Sequence, residues 1–193
     1  MKSFYVTQIN ISDIPTLNDT YDLPYPFNKK HFQTAQDSDA ANLGIKHKFN
    51  FHNCHKTPQW KIICERVRRA IIPFYGDLLI ETSWISCYKE GNSVQWHHHM
   101  RQMTDITTLL FLNTHPTPLM LSTTTTLDDF NKIKIGEKIE IHVTDKIDSV
   151  AGKLIAFDVD MAHMVPECKN HERWTLAANF KKISGTIRNT NSS

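Results

Sequence analysis

The sequence lacks the features that mark several large classes of protein. It has four cysteines in 193 residues, Cys54, Cys64, Cys87 and Cys168, without the close paired spacing of a zinc site or of a small disulfide-rich domain. We therefore expect reduced thiols. No stretch approaches the roughly 20 consecutive apolar residues that span a bilayer, and the first residues do not form a secretory signal. These absences predict a soluble cytoplasmic protein, in the host cytoplasm if its source is a virus.

An excess of charge of one sign is also absent. The chain has 22 Lys and Arg against 20 Asp and Glu, a formal net charge of +2, and its basic residues are scattered rather than clustered. Nucleic acid and membrane surfaces are therefore not expected partners, and no pattern indicates an oligomeric state. With 40% hydrophobic residues, the chain can bury the core of one globular domain, which we place at residues 1–193.

One helix is predicted clearly, beginning after Thr57 as N-cap with Pro58 at the first helical position. Its apolar residues fall on a single stripe at helical spacing: Trp60, Ile63, Cys64, Val67, Ile71 and Phe74. Pro73 and Gly76 end it. The preceding interval of about 12–53 has no clear pattern, and we expect loops with at least one short helix or strand there.

After Gly76 the chain changes to short runs of β-branched and aromatic residues separated by turn-forming residues. The predicted strands are Leu78–Tyr88, Val94–His99, Ile106–Leu112, Leu119–Thr123, Lys138–Val143, Lys153–Val159 and Arg173–Phe180, with an edge strand near Phe4–Ile9. The run Thr123–Thr126 is expected to be an edge strand or a loop. This spacing predicts a mainly β fold with flanking helices, a sandwich or jelly roll. We place its core at about 78–182 and its flanking elements at 1–77.

A run of three histidines is the most informative motif. In a strand, side chains alternate between faces, so His97 and His99 point one way while Trp96 and His98 point the other. Imidazole is a ligand for iron, zinc, copper and nickel, and a third imidazole from a separate strand would complete one triangular face of a metal. His163 is the candidate for that third ligand. The other histidines are expected to be surface groups or hydrogen-bonded core residues.

The last predicted strand carries an arginine among apolar residues. Arg173, Thr175 and Asn179 share one face of it, and Trp174, Leu176 and Phe180 share the other. A guanidinium beside a hydroxyl can bind a carboxylate, because arginine donates two parallel hydrogen bonds and threonine adds one.

Taken together, these residues resemble the iron(II)/2-oxoglutarate-dependent oxygenases, in particular the prolyl-hydroxylase-like branch with its small viral and bacterial members. That branch has a Tyr-x-x-Gly motif, a His-x-Asp pair, a distal His and an Arg-x-Ser or Arg-x-Thr. This chain supplies, in the same order, Tyr88, Gly91, His97, His163, Arg173 and Thr175. The resemblance covers about residues 84–180 and implies a double-stranded β-helix, the jelly roll of that family.

The resemblance also implies a function and a site. It implies a hydroxylase that uses Fe(II), 2-oxoglutarate and dioxygen on a peptide side chain or a small molecule. His97 and His163 would be metal ligands, Arg173 and Thr175 would bind the distal carboxylate of 2-oxoglutarate, and Tyr88 would contact this cosubstrate. We add Asn179 to the cosubstrate residues and expect no catalytic residue beyond the metal ligands.

The chain departs from the family where His99 replaces the usual Asp. Three neutral imidazoles leave a divalent metal at +2, where a carboxylate would reduce its charge. We keep His99 as a ligand, with Asp105 as the fallback carboxylate. Two alternatives stay open: a metal-binding cupin, whose first motif Gly91, His97 and His99 also satisfy, and a catalytically silent jelly-roll binding protein. The substrate itself cannot be predicted.

Overall fold

The computed structural model describes residues 3–12, 33–34, 46–99, 104–134 and 138–183. Over these ranges the chain is mostly antiparallel β-strand. The strands are β1 (Phe4–Gln8), β2 (Gln33–Thr34), β3 (Lys46–His52), β4 (Leu78–His97), β5 (Ile106–Phe111), β6 (His115–Ser122), β7 (Asp145–Ser149), β8 (Lys153–Asp158), β9 (Ala162–Val165) and β10 (Arg173–Lys182). The helices are α1 (Pro58–Tyr75), α2 (Leu127–Lys134) and a 3-10 turn (Cys54–Lys56).

Two sheets form the roll. The major sheet has the order β1-β8-β5-β10-β4-β3-β2, and the minor sheet has the order β4-β9-β6-β7. Strand β4 belongs to both, because its first half pairs with β10 and its last residues pair with β9. This arrangement is a jelly roll, as predicted.

Helix α1 covers the outer face of the major sheet. As predicted, it starts at Pro58 after Thr57, and Gly76 follows its last residue with a φ of 78°. Its stripe packs in one core with sheet residues that include Ile85, Trp174, Leu176 and Phe180. Phe74 departs from the predicted stripe: it is 56% exposed, and its ring stacks on Tyr5 at a centroid distance of 3.6 Å.

A second core fills the inside of the roll. It contains Phe111 of β5, Leu119 of β6, Phe157 of β8, Val165 of β9 and Ala177 of β10. Since Leu176 and Ala178 belong to the outer core and Ala177 to the inner one, β10 alternates between the cores as predicted. Its inward face carries Arg173 and Thr175 among these apolar side chains.

The structure corrects several predicted boundaries. Leu78–Tyr88 and Val94–His99 are parts of the single strand β4, and His99 lies two residues beyond its end. Lys138–Val143 forms no strand; the edge strand is Asp145–Ser149 instead. The β-branched residues of 138–143 had predicted a strand, but none of the described strands pairs with them, and they are mostly exposed.

Helix α2 and strand β9 were not predicted. The threonine run leads into α2. The backbone N–H of Thr126 donates to the Asp129 carboxylate, and the backbone N–H of Asp129 donates to the Thr126 hydroxyl oxygen. This is a capping box, a signal that was present in the sequence. Strand β9 has only four residues, too few for a periodic pattern. No helix in the described residues is long and apolar enough to cross a bilayer.

Candidate metal centre

Three histidines converge at one end of the roll. His97 ends β4 and stands directly opposite His163 on β9, while His99 follows two residues later. Their ring centroids are 4.1 Å apart for His97 and His163, 5.1 Å for His99 and His163, and 5.5 Å for His97 and His99. Each offers a ring nitrogen, and these nitrogens lie within 4.8 Å of one another.

The hydrogen bonds of these rings fix which nitrogen is available. Each ring pairs its Nδ1 with an oxygen: His97 with the carbonyl of Gln95 at 2.9 Å, His163 with the carbonyl of Met161 at 2.9 Å, and His99 with the Asn179 side chain at 3.2 Å. A carbonyl oxygen only accepts, so Nδ1 carries the hydrogen and Nε2 keeps its lone pair. Metal-binding histidines are typically oriented in this way. The three residues therefore fit a divalent metal.

His98 and Asp105 lie outside this group. The His98 ring meets Phe130 edge to face at 4.7 Å, and its Nδ1 is 3.0 Å from the His99 carbonyl. Asp105 accepts a hydrogen bond from the backbone N–H of Lys182 at 2.8 Å. The metal-binding group found among the described residues is therefore His97, His99 and His163, without a carboxylate.

Burial favours the neutral form of His163. His163 is 3% exposed, and desolvation, with the neighbouring imidazoles of His97 and His99, holds its pKa well below the ordinary value. A neutral imidazole is the form that binds metal. Because imidazoles bind metal as neutral donors, a divalent ion held by these three histidines would keep its full +2 charge toward further ligands.

Arg173 lies in the same half of β10 as Thr175 and is fully buried, with 0% exposure. Its Nε donates to Ser149 Oγ at 3.1 Å, and its guanidinium carbon lies 5.3 Å from the Tyr88 ring centre and 5.2 Å from that of Phe111. Among the described residues, its Nη1 and Nη2 have no hydrogen-bond partner. Burial lowers the pKa of Arg173, but arginine stays protonated in proteins. Such a buried cation with two free donor nitrogens is suited to a carboxylate.

A pocket joins the histidines to this end of the roll. It is lined by the three histidines together with Trp84, Ser86, Tyr88, Val94, Thr107, Leu109, Leu119, Val165, Thr175 and Ala177. Tyr88 pairs directly with Arg173 in the β4–β10 ladder, so the pocket reaches the residue next to the guanidinium. Trp84, Ser86 and Tyr88 share one face of β4 and form part of this lining.

Two polar residues of the site were not predicted. Ser149 holds the Arg173 side chain, and Thr107 lies against His99 and Asn179. Thr107 and Thr108 are polar residues in the mainly apolar strand β5, and Thr107 is the one on the same face as the inward Leu109 and Phe111. The partner of Ser149 is 24 residues away in the sequence, so no local pattern could have indicated it.

Neither a family model nor a curated protein matches the chain, but solved structures do. A prolyl-4-hydroxylase from Pseudomonas putida is 16% identical, with a TM-score of 0.54 over 78% of each chain. An oxidoreductase of the 2OG-Fe(II) oxygenase family from Burkholderia pseudomallei is 11% identical, with a TM-score of 0.53 over 74% of this chain and 70% of that one. The chain has the fold of these oxygenases. A viral collagen prolyl hydroxylase from Paramecium bursaria Chlorella virus-1, in complex with 2-oxoglutarate, shares the 2-oxoglutarate oxygenase fold at 12% identity and a TM-score of 0.50, over 72% and 81% of the two chains.

Proposed function

We propose that this protein is an Fe(II)- and 2-oxoglutarate-dependent dioxygenase that hydroxylates a peptide side chain or a small molecule and releases succinate. The observation that carries the proposal is Arg173, a fully buried cation whose two outer nitrogens have no hydrogen-bond partner among the described residues. It lies against Tyr88, which lines a pocket together with the three histidines. To bind 2-oxoglutarate, a site of this kind requires a metal and a group that binds the distal carboxylate. The fold relatives described as prolyl hydroxylases and 2OG-Fe(II) oxygenases support it.

The site residues then have separate tasks. His97, His99 and His163 would hold the iron through Nε2, and Arg173 with Thr175 would bind the C5 carboxylate of 2-oxoglutarate. Tyr88 packs its ring against the guanidinium and lines the pocket, where it would contact the cosubstrate. When bound, iron and 2-oxoglutarate supply the activation of dioxygen and the oxidation of a substrate C–H bond.

Apolar side chains make up part of the pocket wall. Leu109, Leu119, Val165 and Ala177 line it between the two polar ends, so a bound carboxylate would meet Arg173 in a desolvated environment. Charge-assisted hydrogen bonds are stronger there than in water. Trp84, whose ring centre lies 5.9 Å from that of His99, forms the wall beside the metal group. We propose further that residues 1–193 fold as one domain around the core at 78–182.

An anaerobic titration tests this function. 2-Oxoglutarate is added to the Fe(II)-loaded protein while the metal-to-ligand absorption band of the chelate is followed, and succinate is then measured after oxygen is admitted. The proposal expects a saturable band in wild type, its loss in Arg173→Ala, and its retention in Arg69→Ala, which removes an arginine that is 76% exposed on α1. Metal binding without a band would favour a metal-binding cupin. Absence of metal binding would favour a catalytically silent jelly-roll protein.

A further inference from the structure

His99 needs more exact placement than the carboxylate it replaces. A carboxylate offers two equivalent oxygens to a metal, whereas an imidazole offers one lone pair in the plane of its ring. Both the rotation of the ring and the position of its hydrogen must therefore be fixed. Strand β4 ends at His97, and the backbone of His99 is held by a hydrogen bond from its N–H to the Val159 carbonyl at 2.9 Å. The side chain must be fixed by other groups.

Two side chains from the major sheet meet the His99 ring. Asn179 of β10 and Thr107 of β5 stand opposite each other in the ladder. Asn179 Oδ1 lies 3.2 Å from His99 Nδ1, Thr107 Oγ1 lies 3.0 Å from Asn179 Oδ1, and Thr107 Oγ1 lies 3.2 Å from His99 Nδ1. The register of β10 against β4 shifts immediately after Asn179, and such irregularities change the direction in which a side chain points.

This triangle has a consistent arrangement of hydrogens. The Thr107 hydroxyl donates to Asn179 Oδ1, which places the amide oxygen rather than the amide nitrogen toward His99. The same oxygen then accepts the hydrogen of Nδ1, so Nε2 keeps its lone pair. If the amide were turned over, its NH2 group would face Nδ1, the ring hydrogen would move to Nε2, and that nitrogen could not bind a metal.

We propose that Asn179 and Thr107 are positioning residues that fix the orientation and tautomer of His99 and thereby make it a metal ligand. This inference rests on the proposed function insofar as it takes His99 to bind the metal. It gives Asn179 a role through His99, in place of the direct cosubstrate contact expected from its strand face. Thr107 acts one step further out, because its hydroxyl sets the orientation of the Asn179 amide.

The test is metal binding to the metal-free protein, measured by calorimetry with Co(II) and by the visible spectrum of the Co(II) complex. Loss of a group that orients a metal ligand typically costs about 10–100-fold in metal affinity. We expect a loss in that range for Asn179→Leu, with a changed Co(II) spectrum, and near wild-type affinity for Asn179→Asp, which keeps an oxygen acceptor. In a His99→Ala background, Asn179→Leu should cause no further loss.

Thr107 offers a matched pair of variants and a matched control. Thr107→Val removes the hydroxyl at nearly constant volume and should weaken Co(II) binding, while Thr107→Ser should restore it. Thr108→Val is the control: Thr108 is equally buried on the same strand, but its hydroxyl donates to the Ala178 carbonyl. If Asn179→Leu does not fold, the comparison of Thr107→Val with Thr107→Ser decides the question.

The outcomes separate this inference from the proposed function. If wild type binds no divalent metal, both fail. If wild type binds Co(II) but Asn179→Leu and Thr107→Val bind it with the same affinity and spectrum, the positioning role alone is wrong. Equal losses for Thr107→Val and Thr108→Val would indicate a general structural effect and would also overturn the inference. Thermal unfolding of each metal-free variant measures any such effect.

Discussion

Arg173 Nε donates a hydrogen bond to Ser149 Oγ at 3.1 Å, and Ser149 in turn donates to the Thr117 carbonyl at 2.7 Å. Because the serine hydrogen is used on Thr117, the serine oxygen is free to accept from the guanidinium. Both strands that supply these groups, β6 and β7, belong to the minor sheet, whereas Arg173 belongs to the major sheet. The guanidinium of Arg173, on the major sheet, is therefore held by two consecutive hydrogen bonds to Ser149 and Thr117 of the minor sheet.

Ser149→Ala should destabilise the protein. The substitution leaves a third buried nitrogen of Arg173 without an acceptor among the described residues, and an unsatisfied buried group of this kind costs about 1–3 kcal/mol. Urea unfolding in the absence of ligands measures the loss in the free energy of unfolding. Ser149→Thr, which keeps the hydroxyl, should lose less. Equal stability of Ser149→Ala and wild type would contradict the role given to this hydrogen bond.

Arg173→Met should separate stability from cosubstrate binding. Replacing a buried charge by an apolar side chain of similar length is often neutral or stabilising, so the ligand-free variant should unfold at the same or a higher temperature than wild type. Wild type should be stabilised by 2-oxoglutarate, by about 2.7 kcal/mol at 100 times its Kd, and Arg173→Met should not be. A thermal-shift series with Fe(II) and increasing 2-oxoglutarate checks both statements.

Shorter and conservative changes at Arg173 should show graded losses of affinity. Truncating one partner of a buried charged pair costs about 2–5 kcal/mol, or roughly thirty-fold or more in affinity. Arg173→Ala should therefore raise the Kd for 2-oxoglutarate by at least that factor while the metal content stays unchanged. Arg173→Lys should recover only part of the affinity, because an ammonium group cannot form two parallel hydrogen bonds.

Substitutions of the histidines that face the proposed metal should reduce the metal content, and substitution of His98, which faces away, should not. His97→Ala and His163→Ala should abolish binding of one divalent metal per chain, since two protein ligands remain. His98→Ala should bind metal as wild type does, because its ring lies against Phe130. His99→Asp restores the carboxylate of the related oxygenases and should keep iron. Elemental analysis checks the series, and a requirement for His98 with a dispensable His97 would refute the assignment.

Acid should destabilise the metal-free protein, with His163 as one cause. Burial lowers the folded-state pKa of His163 below the ordinary 6.5, so below about pH 6.5 the unfolded chain binds a proton that the folded chain resists. The stabilising effect of the neutral imidazole is therefore complete above pH 6.5 and is lost as the pH falls toward the lowered pKa. His163→Gln should make the free energy of unfolding less dependent on pH between 7 and 5. Urea unfolding at a series of pH values checks this, and an unchanged pH dependence would contradict it.

The sequence predicted the elements whose periodicity is strong. The stripe of α1 and the alternation of β10 each run long enough to give an unambiguous pattern. Both are confirmed, apart from the exposed Phe74, as are the strands at Phe4–Gln8, Ile106–Phe111 and Lys153–Asp158. Short elements such as β9 carry too few residues for a pattern. The edge strand β7 alternates between half-buried and exposed residues, so its sequence Asp-Lys-Ile-Asp-Ser lacks the apolar signal of a buried strand.

Part of the candidate site could be predicted from the sequence, and part could not. The convergence of His97 and His99 with His163, and the inward face of Arg173 and Thr175, followed from side-chain alternation and order along the chain. The contacts of Arg173 with Ser149 and of His99 with Thr107 depend on which strands become neighbours. Alternation within one strand carries no information about such partners. The interval 12–53 had no clear pattern in the sequence. Within its described residues, the structure has the two strands β2 and β3.

The continuous strand β4 carries both ends of the pocket, with Tyr88 beside Arg173 and His97 in the metal group. The separation between the two polar ends is therefore set by a single stretch of backbone and cannot be adjusted by sliding one sheet over the other. A pocket of fixed length discriminates between dicarboxylates by the number of carbons between their acid groups. Oxaloacetate is one carbon shorter than 2-oxoglutarate, and 2-oxoadipate is one carbon longer. Under the proposed function, neither should contact the metal and Arg173 at the same time, so both should bind more weakly than 2-oxoglutarate.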